Sequence, residues 1–213
     1  MVAQKLGSRR IVQRDRKVYS LAPATQVVRY QLHSRVTSHT HLQAIVKSTL
    51  FSPLTLRDVL LRNRIVISPV RQYCAQEGLA TDWHLVHYGK LAQAGAGMVM
   101  VETTAVEARG RTTYGDLGLW SNDQVEPLGR IASFIKARGA VPAIEMGHAG
   151  RKAAVTRPWE GHLPLTEADA VRGEPPRGTA APSALTVARG WPEPVPIDAD
   201  HIETVAAAWK GAA

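Results

Sequence analysis

The 213 residues are 45% hydrophobic and 21% charged, a globular composition that excludes a disordered chain. No run approaches the roughly eighteen apolar residues of a membrane-spanning helix. The net charge of +8 sits at one end: residues 1–48 hold nine Lys or Arg against one acid, Asp15, whereas residues 49–213 hold 17 of each sign. The high isoelectric point is therefore no argument for a nucleic-acid-binding fold, and the single cysteine, Cys74, suits a reducing, cytoplasmic setting.

Residues 1–48 lack any sustained period and read as a basic, disordered extension. A transit peptide shares the Arg-rich, acid-poor composition. A nucleic-acid-binding arm is the third reading, although Tyr19 and Tyr30 stand alone, without the aromatic interleaving such an arm uses. From residue 49 the texture changes. Phe51–Asn63 reads as a short hairpin turning at Arg57-Asp58, and Arg64–Ser68 as a buried, β-branched strand. Thr81-Asp82 caps a helix running to about Gln93, with Leu85, Tyr88, Leu91 and Ala92 on one face and Gly95 and Gly97 ending it. Met98–Val101 is strand-like. Residues 106–120 form a polar loop, and Ser121-Asn122-Asp123 caps a helix with Val125, Leu128, Ile131 and Ile135 at helical spacing. Lys136 and Arg138 suit its C-terminal dipole. Val141–Met146 is another strand, residues 148–196 a Pro- and Gly-rich loop, and Asp198 or Asp200 opens a third helix. Alternation of this kind predicts an α/β fold with a parallel sheet, right-handed crossovers and ligand groups after the strand C-termini. The first strand is not followed by Gly-x-Gly-x-x-Gly, which argues against a dinucleotide-binding unit. The histidines His84, His87, His162 and His201 lack metal-ligand spacing.

Five segments in order carry a resemblance: Leu61–Pro69, Val101–Val106 with Gly110-Arg111, Asp116–Trp120, His148–Lys152 and Ala181–Ala184. Together they resemble the Old Yellow Enzyme family of flavin-dependent ene-reductases. The position of Tyr73 and the pair Arg151-Lys152 are most similar to its thermophilic-type subclass. The resemblance implies a (β/α)8 TIM barrel holding one FMN at its C-terminal face. NADPH or NADH reduces the flavin, which passes hydride to an activated alkene, an enone-type small molecule. It further implies that Ser68, Pro69, Val70 and Arg71 lay their backbone against the flavin ring edge, and that Thr103 lies near a ring carbonyl. Tyr73 faces substrate in this scheme, while His148 and Lys152 order their loop. Two positions depart from the pattern. Glu145 stands where relatives have Gln; an amide both donates and accepts, a carboxylate only accepts. Arg71 stands where the subclass often has Cys, and either approaches the flavin or points to solvent.

The resemblance covers about residues 49–210. The residues it implies for holding a substrate carbonyl, donating a proton and gripping the FMN phosphate belong to later strands. The chain is thus expected to be the N-terminal portion of a barrel, truncated and inactive alone, a homo-oligomer or a complementing second-half chain being its expected partner. The alternative is a non-catalytic half-barrel whose basic arm is its binding feature. A Schiff-base aldolase barrel would need a Lys at a strand end, and Lys152 lies several residues beyond one.

Overall fold

The hairpin forms where the turn residues place it. In the computed structural model, which describes residues 48–213, β1 (Leu54–Leu56) pairs antiparallel with β2 (Val59–Leu61), and Arg57 takes the turn with φ of 52°. The expectations for residues 1–47 lie outside the described residues. Beyond the hairpin, β3 (Val66–Ile67) is shorter than the β-branched run Arg64–Ser68 suggests, and Val66 is exposed on one face. It starts a parallel sheet with β4 (Met98–Ala105) and β6 (Val141–Gly147), in which β4 lies between the other two. A two-residue strand, β5 (Leu117–Gly118), pairs parallel with the C-terminal end of β4.

Helices α1 (Asp82–Gln93) and α2 (Val125–Ala137) form the crossovers and pack on one face of this sheet. The core between them is built from Tyr88 and Ala92 of α1, Leu128, Ile131 and Ile135 of α2, and Val99 and Val101 of β4, with Ile65 and Ile67 packed against it. Gly89 lets the helices approach, because a Cβ there would lie 2.9 Å from the Phe134 ring. Strand alternation then sends Val66, Ser68, Met98, Met100, Val141, Ala143 and Glu145 to the opposite face.

The Arg62-Asn63 pair closes the end of the sheet away from the strand C-termini. The Arg62 guanidinium donates to the carbonyls of Ala96 (2.9 Å) and Arg138 (2.9 Å), satisfying backbone left over after both helices. Asn63 Nδ2 donates to the Gly95 carbonyl at 2.8 Å. Gln124 does comparable work at the other end: its buried Oε1 accepts from the amides of Trp120 (2.8 Å) and Ser121 (3.0 Å), and its Nε2 donates to the Glu77 carbonyl. Gln124→Ala leaves these groups unpartnered and is expected to cost about 2 kcal/mol, measured as a lowered urea midpoint with an unchanged slope.

The loop after β6 is more ordered than its Pro and Gly content suggests. It holds short 3-10 turns and a two-stranded parallel ladder, β7 (Ala180–Ala181) with β8 (Val195–Pro196). Asp198 caps α3 (Ala199–Ala212), accepting from the His201 amide at 2.9 Å. Among the described residues no helix is long and apolar enough to cross a membrane.

Candidate functional site

The register of the sheet gathers the candidate residues. Val101 pairs with Ile144 and Thr104 with Met146, so two residues of β4, Glu102 and Thr103, stand opposite one residue of β6, Glu145. This is a β-bulge at the C-terminal end of the parallel strands, where such irregularities re-aim side chains. Thr103 packs on Gly147 so closely that a Cβ there would collide with the threonine methyl. Ser68 follows β3 directly and lies on the face that carries Glu145. Thr104 turns its hydroxyl back onto the Glu102 carbonyl at 2.9 Å, whereas Ser68, Thr103 and Glu145 have no side-chain hydrogen-bond partner among the described residues. The open face thus presents three uncommitted polar groups at adjacent strand ends.

The turn after β3 is held from several sides. Pro69 is half-buried and Val70 exposed. The Arg71 side chain is partly exposed and turns toward Asp116. Its Nε lies 3.8 Å from Asp116 Oδ2, and it is buried without a hydrogen-bond partner. Asp116 is itself engaged with the Thr112 amide (2.9 Å) and the Thr113 hydroxyl (2.8 Å). Tyr73 has φ of 56°, an unusual conformation for a residue with a Cβ. Its ring meets Trp159 edge-on at 5.6 Å, and its carbonyl accepts from Arg157 Nε at 3.4 Å. Arg157 also pairs with Glu174 at 2.5 Å, and Arg172 with Glu160 at 3.1 Å. These ion pairs tie the Pro-rich loop together and hold Trp159 against Tyr73.

His148 Nδ1 accepts from the Gly150 amide at 3.0 Å, which leaves Nε2 as its protonated nitrogen when neutral, 3.5 Å from Glu107. Its imidazole packs on Gly110, where a Cβ would strike the ring. The histidine thereby joins the loops that follow β4 and β6.

Sequence reasoning missed the deepest polar cluster. Glu102, His84 and Tyr88 are buried together beneath the turn. Glu102 accepts the Gln72 amide on both carboxylate oxygens at 3.1 Å and the Tyr88 hydroxyl at 2.8 Å. Burial pushes its carboxyl up to about 7, partly offset by those hydrogen bonds. His84 accepts the Thr81 amide on Nδ1 at 3.0 Å, so the proton of its neutral form is on Nε2, 4.0 Å from Glu102. Burial lowers its pKa to about 4. The signal that could have found the helix pair is the i, i+4 run His84, Tyr88, Ala92 on one face of α1. Among the described residues no group of three His, Cys, Asp or Glu could hold a metal.

Residues 49–175 match the model of the NADH:flavin oxidoreductase / NADH oxidase family. The chain belongs to that family. Family membership implies FMN as cofactor, and the polar groups left free on the open face are of the kind a flavin ring edge engages. The chain is 44% identical over 146 residues to an NADH:flavin oxidoreductase of Gibberella zeae, covering 68% of this chain and 35% of that one. It is 46% identical over 110 residues to an NADPH dehydrogenase of Bacillus cytotoxicus, covering 51% and 32%. It therefore spans about a third of the length of these curated relatives. Among solved structures, the fold is similar to that of Old Yellow Enzyme from Pichia sp. AKU4542, with a TM-score of 0.64 at 21% identity, covering 77% of this chain and 41% of that one. Morphinone reductase gives 0.61 at 21% identity, covering 76% and 43%. The sheet and its crossovers are accordingly part of the (β/α)8 barrel of this family.

Proposed function

We propose that this chain supplies the ring-binding wall of an FMN-dependent NAD(P)H oxidoreductase of the ene-reductase type. One observation carries the reading: Ser68, Thr103 and Glu145 lie uncommitted at the C-terminal ends of three adjacent parallel strands, where barrels of this kind assemble their sites. Bound FMN would carry hydride from NADPH or NADH to the activated double bond of an enone-type substrate. The protein's part is to bind and orient. The backbone of Ser68–Arg71 meets the ring edge, Pro69 fixing φ in the turn, while Thr103 and Glu145 meet its polar edge. Tyr73, steadied by Trp159, offers its hydroxyl to a substrate carbonyl. His148 and Lys152 order the loop after β6. The setting proposed is cytoplasmic.

The turnover chemistry needs further strands, whether from a longer form of this protein or from a complementing chain. Residues 1–213 alone are expected to retain FMN after removal of free flavin, seen as a protein-shifted visible band, and to show no NADPH oxidation with cyclohexenone. A colourless protein would count against the ring-binding reading, and turnover would count against the need for further strands.

A further inference from the structure

One edge of β4 changes partners midway. Its last residue paired with β3 is Val99 and its first paired with β5 is Thr104. Between them β3 has left the sheet and become the turn that leads to Tyr73. The Gln72 amide, which has lost its place in the ladder, points instead at both oxygens of Glu102. A side chain has taken over the role of a strand carbonyl.

That side chain is itself tightly fixed. Tyr88 donates to Glu102 Oε2 and accepts the Glu102 amide, each at 2.8 Å. Glu102 has no solvent exposure, and the His84 imidazole, neutral where the carboxyl is ionised, lies 4.0 Å from it. A buried carboxyl is costly without partners, so its three accepted hydrogen bonds are what make the position tenable. The groups that face it are His84 and Tyr88 from α1, Arg71 and Cys74 from the turn, and Asp116 from the segment before β5. The residues flanking Gln72 are Arg71 and Tyr73, the second with positive φ. Fixing the Gln72 amide therefore fixes both.

We propose that Glu102 is the positioning residue of the flavin-facing turn, clamping Val70–Tyr73 to β4 and α1 through the Gln72 amide. The functional half of this inference rests on the reading of Ser68–Arg71 as flavin-facing; the clamp does not.

The test follows the Gln72 amide by NMR in the 15N-labelled 213-residue chain across neutral pH. In the wild type its proton is expected to move downfield as Glu102 ionises, with a midpoint near 7. Glu102→Gln abolishes that titration, and Glu102→Leu, which leaves the Gln72 amide no acceptor, speeds exchange of that amide at least about tenfold. Tyr88→Phe keeps the titration and moves its midpoint upward, because a donor to the ionised form is lost. An amide that does not titrate, or titrates unchanged in Glu102→Gln, overturns the clamp. If Glu102→Gln does not fold, an unmoved midpoint in Tyr88→Phe overturns it instead. FMN retention is then compared: the released turn is expected to weaken it at least about tenfold, and equal retention by a folded, released variant overturns the positioning role. A wild type that retains no FMN sinks the flavin reading, while the Gln72 titration still decides the clamp.

Discussion

Glu145→Gln is expected to tighten FMN binding about tenfold, or about 1.4 kcal/mol. Glu145 sits across the β4 bulge from Thr103, half-buried, with no cation in ion-pair contact among the described residues. In the proposed orientation it meets the pyrimidine edge of the flavin, which presents a carbonyl acceptor beside an N–H donor. A carboxylate can accept from the N–H but leaves the carbonyl facing an acceptor. An amide of the same shape satisfies both. The gain should be larger for reduced flavin, because that edge becomes more negative on reduction and the charge of Glu145 opposes it. Quenching of flavin fluorescence on titration into each protein measures the oxidised affinity, and the flavin reduction potential measures the difference. Equal affinity for the two proteins would mean that Glu145 does not reach the ring, and the orientation proposed here would be wrong.

Much of the fold could be read from the residues because local and tertiary preferences agree. Thr81 and Asp198 stand at the N-cap positions of α1 and α3, and Leu128, Ile131 and Ile135 bury at helical spacing. Where the reading fell short, a tertiary demand intervened. The run Arg64–Ser68 looks like a longer strand, but the chain must leave β4 after Ile67 to make the turn, so only Val66–Ile67 stays in the ladder. On α1, Leu85 and Leu91 are only partly buried while His84 is fully so, its Nδ1 accepting the Thr81 amide at the start of the helix. The candidate flavin residues Ser68, Thr103 and Glu145 came from resemblance. What brings Thr103 level with Glu145 is the bulge, and a bulge leaves little trace in a strand reading Met98-Val-Met-Val-Glu-Thr-Thr-Ala105 beyond the onset of polar residues. Glu102 was invisible for the same reason: a glutamate after four apolar residues reads as a strand emerging into water.

The second large expected effect is a pair of opposite pH dependences uncovered by single substitutions at Glu102 and His84. The Glu102 carboxyl rises from 4.5 to about 7 on folding, chiefly by burial. The folded state thus holds a proton that the unfolded state has lost, and between about 4.5 and 7 this makes stability fall as pH rises. His84 moves the other way, from 6.5 to about 4, again chiefly by burial. There the unfolded state holds the extra proton, so between about 4 and 6.5 stability rises with pH. Over the shared window the two slopes, each up to about 1.4 kcal/mol per pH unit, oppose one another, and the wild type should be nearly indifferent to pH on their account. Glu102→Gln leaves the histidine slope alone, so relative to wild type this variant should gain stability as pH rises, by up to about 3 kcal/mol over the window. His84→Asn, whose Oδ1 can still accept the Thr81 amide, leaves the glutamate slope and should lose stability by a similar amount. His87, whose pKa burial and Lys90 also lower, titrates alike in all three proteins and drops out of the comparison. Urea unfolding at several pH values measures the slopes. Parallel curves for the variants and the wild type would mean that neither group changes its proton affinity on folding. Opposed curves would mean that the cluster keeps one proton on the carboxyl and none to spare on the imidazole, so that two buried ionisable groups lie side by side without a net buried charge.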